Sequence, residues 1–310
     1  MYYFIVNPSA SGGRGEKIWR KVERRLQNSG IEYHTDLTKN RGDARELARE
    51  YTENCREPRI IVAVGGDGTV NEILDGLSLD CQVTLGYIPA GTGNDLARSL
   101  KLPRNPVRCL KKVLYPRYFQ CLDYGILSYA PEQKEPVYRR FAVSAGIGLD
   151  AAVCQELLEQ RSRRSHRLLR FKRAAYVLVG LKHLLQDKPV KGYLILDGTK
   201  KVEFNHIYFM SFHIHPYEGG GFKMASRANS SDGQLEICVA HGAGRRKLVP
   251  VLVGAYLGRS SHYRGVRHYS CREVAVHVDR PMAVHVDGES CMSQTDLHLR
   301  CVEKKIRMIT

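Results

Sequence analysis

The hydrophobic positions fall into two regimes along the chain. In the first, short β-branched runs alternate with stretches of helical spacing. Tyr3–Val6, Ile31–Thr35, Ile60–Val64 and Val83–Tyr87 read as strands. Between them, Ile18, Trp19, Val22 and Leu26 share one face of a helix over Glu16–Asn28. Asp43–Asn54 reads as a second helix, and Val70, Ile73, Leu74 and Leu77 mark a third. A short helix covers Val107–Leu114, behind a loop holding Pro103 and Pro106. Strands that alternate with helices imply a doubly wound α/β domain with a parallel sheet. Around Phe119–Asp123 the pattern changes. Cys121–Tyr129, Tyr138–Ser144, Lys191–Leu196, Val202–Phe212, Leu235–Val239, Arg272–Val278 and Met282–Val286 alternate apolar with polar, as antiparallel strands do. Pro131–Pro136 reads as a hairpin loop. The expected division is 1–124 and 125–294.

Two corners in the first region carry the chemistry. Ile60–Val64 stops at Gly65-Gly66-Asp67-Gly68-Thr69, and a helical pattern follows at once. Glycines let a backbone approach a ligand closely. The amides that open a helix lack intrahelical acceptors and suit phosphate oxygens. Asp67 is the one anionic side chain in that turn, placed to orient a metal or take a proton. By itself this corner divides evenly between an ordinary strand-to-helix turn and a ligand site. A second corner, Pro89-Ala90-Gly91-Thr92-Gly93-Asn94-Asp95, follows Val83–Tyr87. Two such corners belong at the carboxyl edge of a parallel sheet, where ligands bind.

GGDGTVNE, PAGTGNDLAR and a late HVDGE together resemble the diacylglycerol kinase catalytic-domain superfamily. More narrowly, they resemble its soluble bacterial lipid kinases, relatives of sphingosine and ceramide kinases. Asn7-Pro8-Ser9-Ala10-Ser11-Gly12-Gly13, Ala145–Ala151, Gly219–Lys223 and Asp232-Gly233 match in the same order. GGDG is also similar to phosphofructokinases and NAD kinases. The resemblance implies a nucleotide-binding α/β domain of that kind, followed by a C-terminal β-sandwich that holds the lipid. It also implies that 295–310 returns to the first domain. ATP would contact Asn7, Pro8, Ser9, Thr38, Gly65, Gly66, Asp67, Gly68, Thr69, Asn71, Glu72, Thr92 and Asn94. Thr38 is equally well read as a helix-capping hydroxyl. Asp287 and Glu289, flanking Gly288 at a strand end, would supply the proton acceptor across an interdomain cleft, and their residue types do not choose between them. Asn229, Asp232 and Gln234 would hold a structural Mg²⁺ through one carboxylate and backbone carbonyls, a hard-cation donor set. A tight Asp-Gly turn explains that loop as well. Asp150 would lie near the acceptor.

Other motifs are weaker. Gly146-Ile147-Gly148-Leu149-Asp150-Ala151 matches a dinucleotide fingerprint, yet it lies in antiparallel territory without the βαβ unit such a site needs. His213 and His215 bracket Ile214 on a strand and point one way, but a metal would need a third ligand. The chain has no Walker pattern.

Composition narrows the partners. The 310 residues are 43% hydrophobic and 26% charged, a globular balance. The net charge of +16 is uneven: residues 1–124 contribute +4 and 125–310 contribute +12. Seven Lys/Arg fall within Arg161–Arg173 ahead of an apolar run, and Arg245–Tyr256 has the same character. Such helices can lie on anionic lipid, although a solvated, packed helix explains most of these charges. No nucleic-acid module is recognisable. Nine widely spaced cysteines with no CxxC pair fit reduced thiols. The start carries no signal-peptide pattern, and no apolar run approaches the ~20 residues of a span. The expectation is a cytoplasmic, ATP- and Mg²⁺-dependent lipid kinase, peripheral to the inner membrane face, with a homodimer left open. A soluble-acceptor kinase of the NAD kinase kind and a non-catalytic lipid- or nucleotide-binding protein are the alternatives.

Overall fold

The computed structural model describes residues 1–130, 135–163, 172–186, 188–242, 244, 248–249 and 265–310. The chain divides into two compact units, Met1–Asp123 with Lys304–Thr310, and Tyr124–Glu303. The segment belonging to the first unit is thus shorter than 295–310.

The first unit runs β1 (Tyr2–Val6), α1 (Ala10–Gln27), β2 (Tyr33–Leu37), α2 (Asp43–Thr52), β3 (Arg59–Gly65), α3 (Asp67–Gly76), β4 (Val83–Pro89), α4 (Asp95–Ser99) and α5 (Pro106–Leu114). The strands are parallel in the order β2-β1-β3-β4. Arg307 and Met308 add a further parallel strand beside β4. The sheet is covered because β-branched and aromatic strand residues meet the apolar helix faces. Phe4, Val6, Val62, Val64 and Ile88 pack with Ile18, Trp19, Val22 and Leu26. Each such aliphatic burial is worth about 1.5–3 kcal/mol. The order reverses between β1 and β3, and in open α/β sheets ligands sit at that switch point, beyond the strand carboxyl ends.

The second unit contains β5 (Phe119–Tyr129, starting in the first unit), β6 (Val137–Phe141), β7 (Ser144–Gly148), α6 (Leu149–Arg163) and α7 (Lys172–Gln186). There follow β8 (Val190–Leu196), β9 (Lys200–His213), β10 (Tyr217–Glu218), β11 (Phe222–Lys223), β12 (Leu235–His241), β13 (Val266–Cys271), β14 (Glu273–Val286) and β15 (Glu289–Ile309). Its strand pairs are antiparallel. The long strands β9 and β14 each pair with β8 over one part and with β7 over another. Alternation then sorts the side chains. Ala145, Ile147, Met210, Phe212, Ile237, Val239, Val284 and Val286 enter one apolar core. On the opposite face, Phe209, Cys238 and Ala240 pack against Leu149 and Val153 of α6 and Val179 and Leu184 of α7.

The structure revises several sequence expectations. Arg272–Val278 and Met282–Val286 are one strand, whose register shifts between His277 and Met282 around Pro281. Tyr138–Ser144 is two strands, and the GxG segment lies within the second. β13 was not anticipated. His215 lies beyond β9, and the amides of Ile214 and His215 both donate to the Val143 carbonyl, so simple alternation fails there. Residues 131–134 of the hairpin loop, 164–171 of the basic run and most of 245–256 lie outside the described residues.

Candidate active site

In the first unit, sequence-distant residues meet at the strand ends. The Asn7 amide donates to the Val64 carbonyl at 2.8 Å, and the Thr38 amide donates to Val6 at 2.8 Å. Asn7 Nδ2 reaches Thr69 Oγ1 at 3.2 Å. Thr38 is buried and does not cap α2, whose N-cap is Gly42. Asp43 instead closes that turn, its Oδ2 accepting from the Lys39 and Asn40 amides at 2.7 and 2.8 Å.

The two glycine corners touch. The Ala90 and Gly91 amides donate to the Gly65 carbonyl at 2.6 and 3.0 Å. A Cβ on Gly91 would lie 2.4 Å from the Gly66 Cα, so only glycine allows the contact. Regular α1 geometry begins after Ser11, Gly12 and Gly13, which take left-handed φ of 51°, 66° and 88°. The Ser11 hydroxyl is buried with no hydrogen-bond partner among the described residues. A cradle closed to any Cβ, an unused hydroxyl and the open amides of α3 fit a polyphosphate. Pro8, exposed Ser9 and exposed Thr92 lie on the loops of this edge.

Other predicted contacts brace the scaffold. Asp67 Oδ1 accepts the Leu96 amide at 3.2 Å, at the start of α4. Burial pushes its carboxyl up, while the amides of Asp95, Leu96 and Asn94 and the Arg98 guanidinium pull it down. Asn94 is held at both ends: Tyr87 donates its hydroxyl to Oδ1 at 3.2 Å, and Nδ2 donates to the Gly91 carbonyl at 2.9 Å. Asn71 is wholly buried. Glu72 Oε1 accepts the Gly42 amide at 3.0 Å, tying α3 to the start of α2.

In the second unit, the β14–β15 turn separates the two acids. Asp287 has a left-handed φ of 47°. Its Oδ2 accepts the Ala142 amide at 2.8 Å, and its Oδ1 accepts those of Val143 and Ser144 at 2.9 Å each. Glu289 is placed differently, with Arg139 Nη2 3.8 Å from its Oε2. His285 also belongs to this turn, and the sequence reading missed it. Its Nδ1 accepts the Gly288 amide at 3.2 Å, and its Nε2 meets Asp150 Oδ2 at 2.7 Å. A lone histidine in the alternating run Met282–Val286 was the available signal.

The 229–234 loop is exposed at Asn229, Asp232 and Gln234. Asp232 Oδ1 accepts the Gln234 amide at 3.1 Å, and Asn229 Oδ1 accepts the Ser231 hydroxyl at 3.0 Å. A carboxylate with loop carbonyls suits a hard cation such as Mg²⁺. His213 and His215 do not form a metal pair: His213 Nε2 lies 2.9 Å from Ser211 Oγ, and burial lowers both imidazoles to about 4.

Residues 1–118 match the diacylglycerol kinase catalytic domain, and residues 142–310 match the YegS C-terminal NAD kinase beta sandwich-like domain. The chain is similar to YtlR of Bacillus subtilis, at 27% identity over 314 residues, covering 100% of this chain and 99% of that one. It is 28% identical over 286 residues to a diacylglycerol kinase of Bacillus subtilis, covering 92% and 88%. A crystal structure of a diacylglycerol kinase from Bacillus anthracis has a TM-score of 0.71 at 20% identity, covering 99% of this chain and 96% of that one. At that identity the likeness shows the fold alone.

Proposed function

We propose a phosphotransferase reaction from one premise: this chain belongs to the family that joins a diacylglycerol kinase catalytic domain to a YegS C-terminal NAD kinase beta sandwich-like domain. The reading is an ATP-dependent kinase of a lipid alcohol, diacylglycerol or a close relative, working at a membrane surface. The observation that carries it is the contact between the Gly66 and Gly91 corners beside Asn7 and Thr69, a backbone cradle built for phosphate.

ATP, when bound, supplies the γ-phosphoryl group, and Mg²⁺ with it spreads the phosphate charge. The chain's own part begins with the Gly66–Gly68 backbone, Thr69, Thr92 and the Asn7–Ser9 loop, which hold the phosphates. Amide donors fixed before the reaction stabilise charge without reorganising. Glu289 takes the hydroxyl proton of the acceptor, since transfer to an alcohol needs a base. Arg139 Nη2 lies 3.8 Å from Glu289 Oε2, so the carboxylate faces a guanidinium on β6. Three amides already engage both oxygens of Asp287, which supports giving the role of base to Glu289.

Membrane-surface action draws support from α7, where Leu178 and Leu185 are exposed two turns apart on one helix face. Among the described residues no helix is long and apolar enough to cross a membrane. The Asp232 loop would hold a structural Mg²⁺.

The test is radiolabelled ATP with purified protein and a total lipid extract, beside NAD and sugars as soluble acceptors. A labelled phospholipid, formed faster on vesicles with anionic lipid, is expected. Label only in a soluble acceptor would favour the NAD kinase-like alternative, and no transfer would favour a binding protein.

A further inference from the structure

His285 lies 2% exposed between the two ends of a bridge. The Gly288 amide donates to Nδ1 at 3.2 Å, which places the neutral ring's proton on Nε2. Nε2–H then donates to Asp150 Oδ2 at 2.7 Å, 135 residues away in sequence. Space for this bond is cut into the sheet. Gly146 pairs with His285 across β7 and β14, and a Cβ there would lie 2.4 Å from Asp150 Oδ2 and 2.6 Å from His285 Nε2. The first glycine of the GxGxxA segment therefore makes room for a side-chain pair, not for a pyrophosphate.

Three other uses of the cluster fit less well. The donor atoms of Asp150, Cys154 and His285 lie within 4.8 Å of one another, as a metal site requires. Yet the ring presents an N–H to that cluster instead of a lone pair. As a general base, His285 would need Nδ1 free, and the Gly288 amide occupies it. As packing alone, any two acceptors and donors would satisfy the buried ring, whereas here its partners are the 287–289 turn and the start of α6.

We propose that His285 is a positioning residue for phosphoryl transfer. It fixes the 287–289 turn against the start of α6, so that Glu289 and Asp150 keep one mutual placement. This rests on the reading of Glu289 as the base. Misplacement of a reacting group by about 1 Å can cost ~100-fold.

The full chain is assayed with labelled ATP and dioleoylglycerol in mixed micelles. His285→Ala should lower kcat by on the order of 100-fold and leave KM for ATP within about twofold. His285→Asn can accept the Gly288 amide and should regain about tenfold of that loss. His285→Gln reaches Asp150 but not Gly288 and should not. Amide hydrogen exchange across 286–290 should rise in the Ala and Gln variants and not in Asn. A folded His285→Ala with native exchange, or with kcat within about threefold of the parent, overturns the proposal. If the Ala variant fails to fold, equal kcat in Asn and Gln overturns it. Glu289→Gln runs in parallel. Loss there with a fully active His285→Ala sinks the positioning role alone. A fully active Glu289→Gln sinks the base assignment and this inference with it.

Discussion

Asp67 in the first unit and Asp287 in the second each follow a strand and each collect backbone amides from a neighbouring segment. The surroundings differ. Asp67 sits where burial outweighs its donors, so its carboxyl is pushed up. Asp287 has three short amide bonds shared between both oxygens. One turn presents open amides beside a touching glycine corner, and the other presents Glu289. An aspartate in such a motif is therefore not automatically the reacting group, because Asp67 and Asp287 both spend their oxygens on backbone amides.

The widest expected difference between the units is their response to acid. In the second unit, burial lowers His213 and His215 from 6.5 to about 4. A base with a depressed folded value contributes stability that is complete above 6.5 and is lost as pH falls through 4, because only the unfolded chain takes the proton. Each group accounts for about 3 kcal/mol across that window. Differential scanning calorimetry from pH 7 to 4 should show the second unit's transition falling first, and His215→Gln should flatten the slope. A parallel fall of both transitions would erase the distinction.

Next in size is Asp287→Asn, which turns a donor toward the Ala142 amide and leaves that buried N–H without an acceptor. The expected loss is about 1–3 kcal/mol, read as a lower urea midpoint. Asp67→Asn should go the other way or change nothing at pH 7, since it removes a charge that burial disfavours. A larger loss at Asp67 than at Asp287 would reverse the ranking of the two aspartates. Smallest is Glu72→Ala, which loses one bond to the Gly42 amide and should cost about 1 kcal/mol. An unchanged denaturation midpoint would show that the tie from α3 to α2 contributes nothing.

The β-branched runs, the helical spacing and the two glycine corners were legible in the sequence because local pattern dictates them. Strand β13 was not, because Val266–Cys271 is a half-exposed, partly basic edge without clean alternation. The unity of β14 was hidden by Pro281, which reads as a stop but sits where the register shifts. The site residues divided similarly. Asn7, Gly65–Thr69 and Thr38 could be named from motifs, and the structure brings them to one sheet edge. The bracing role of Glu72, the amide bonds to Asp287 and the Asp150–His285 pair depend on contacts between segments far apart in sequence. No local pattern encodes them.

The most direct measurement is phosphoryl transfer from labelled ATP to dioleoylglycerol by Glu289→Gln, with its melting curve recorded beside the parent's. General-base loss predicts kcat lower by about 100-fold or more at an unchanged melting temperature. A melting curve like the parent's together with a kcat like the parent's would contradict the assignment of the proton to Glu289.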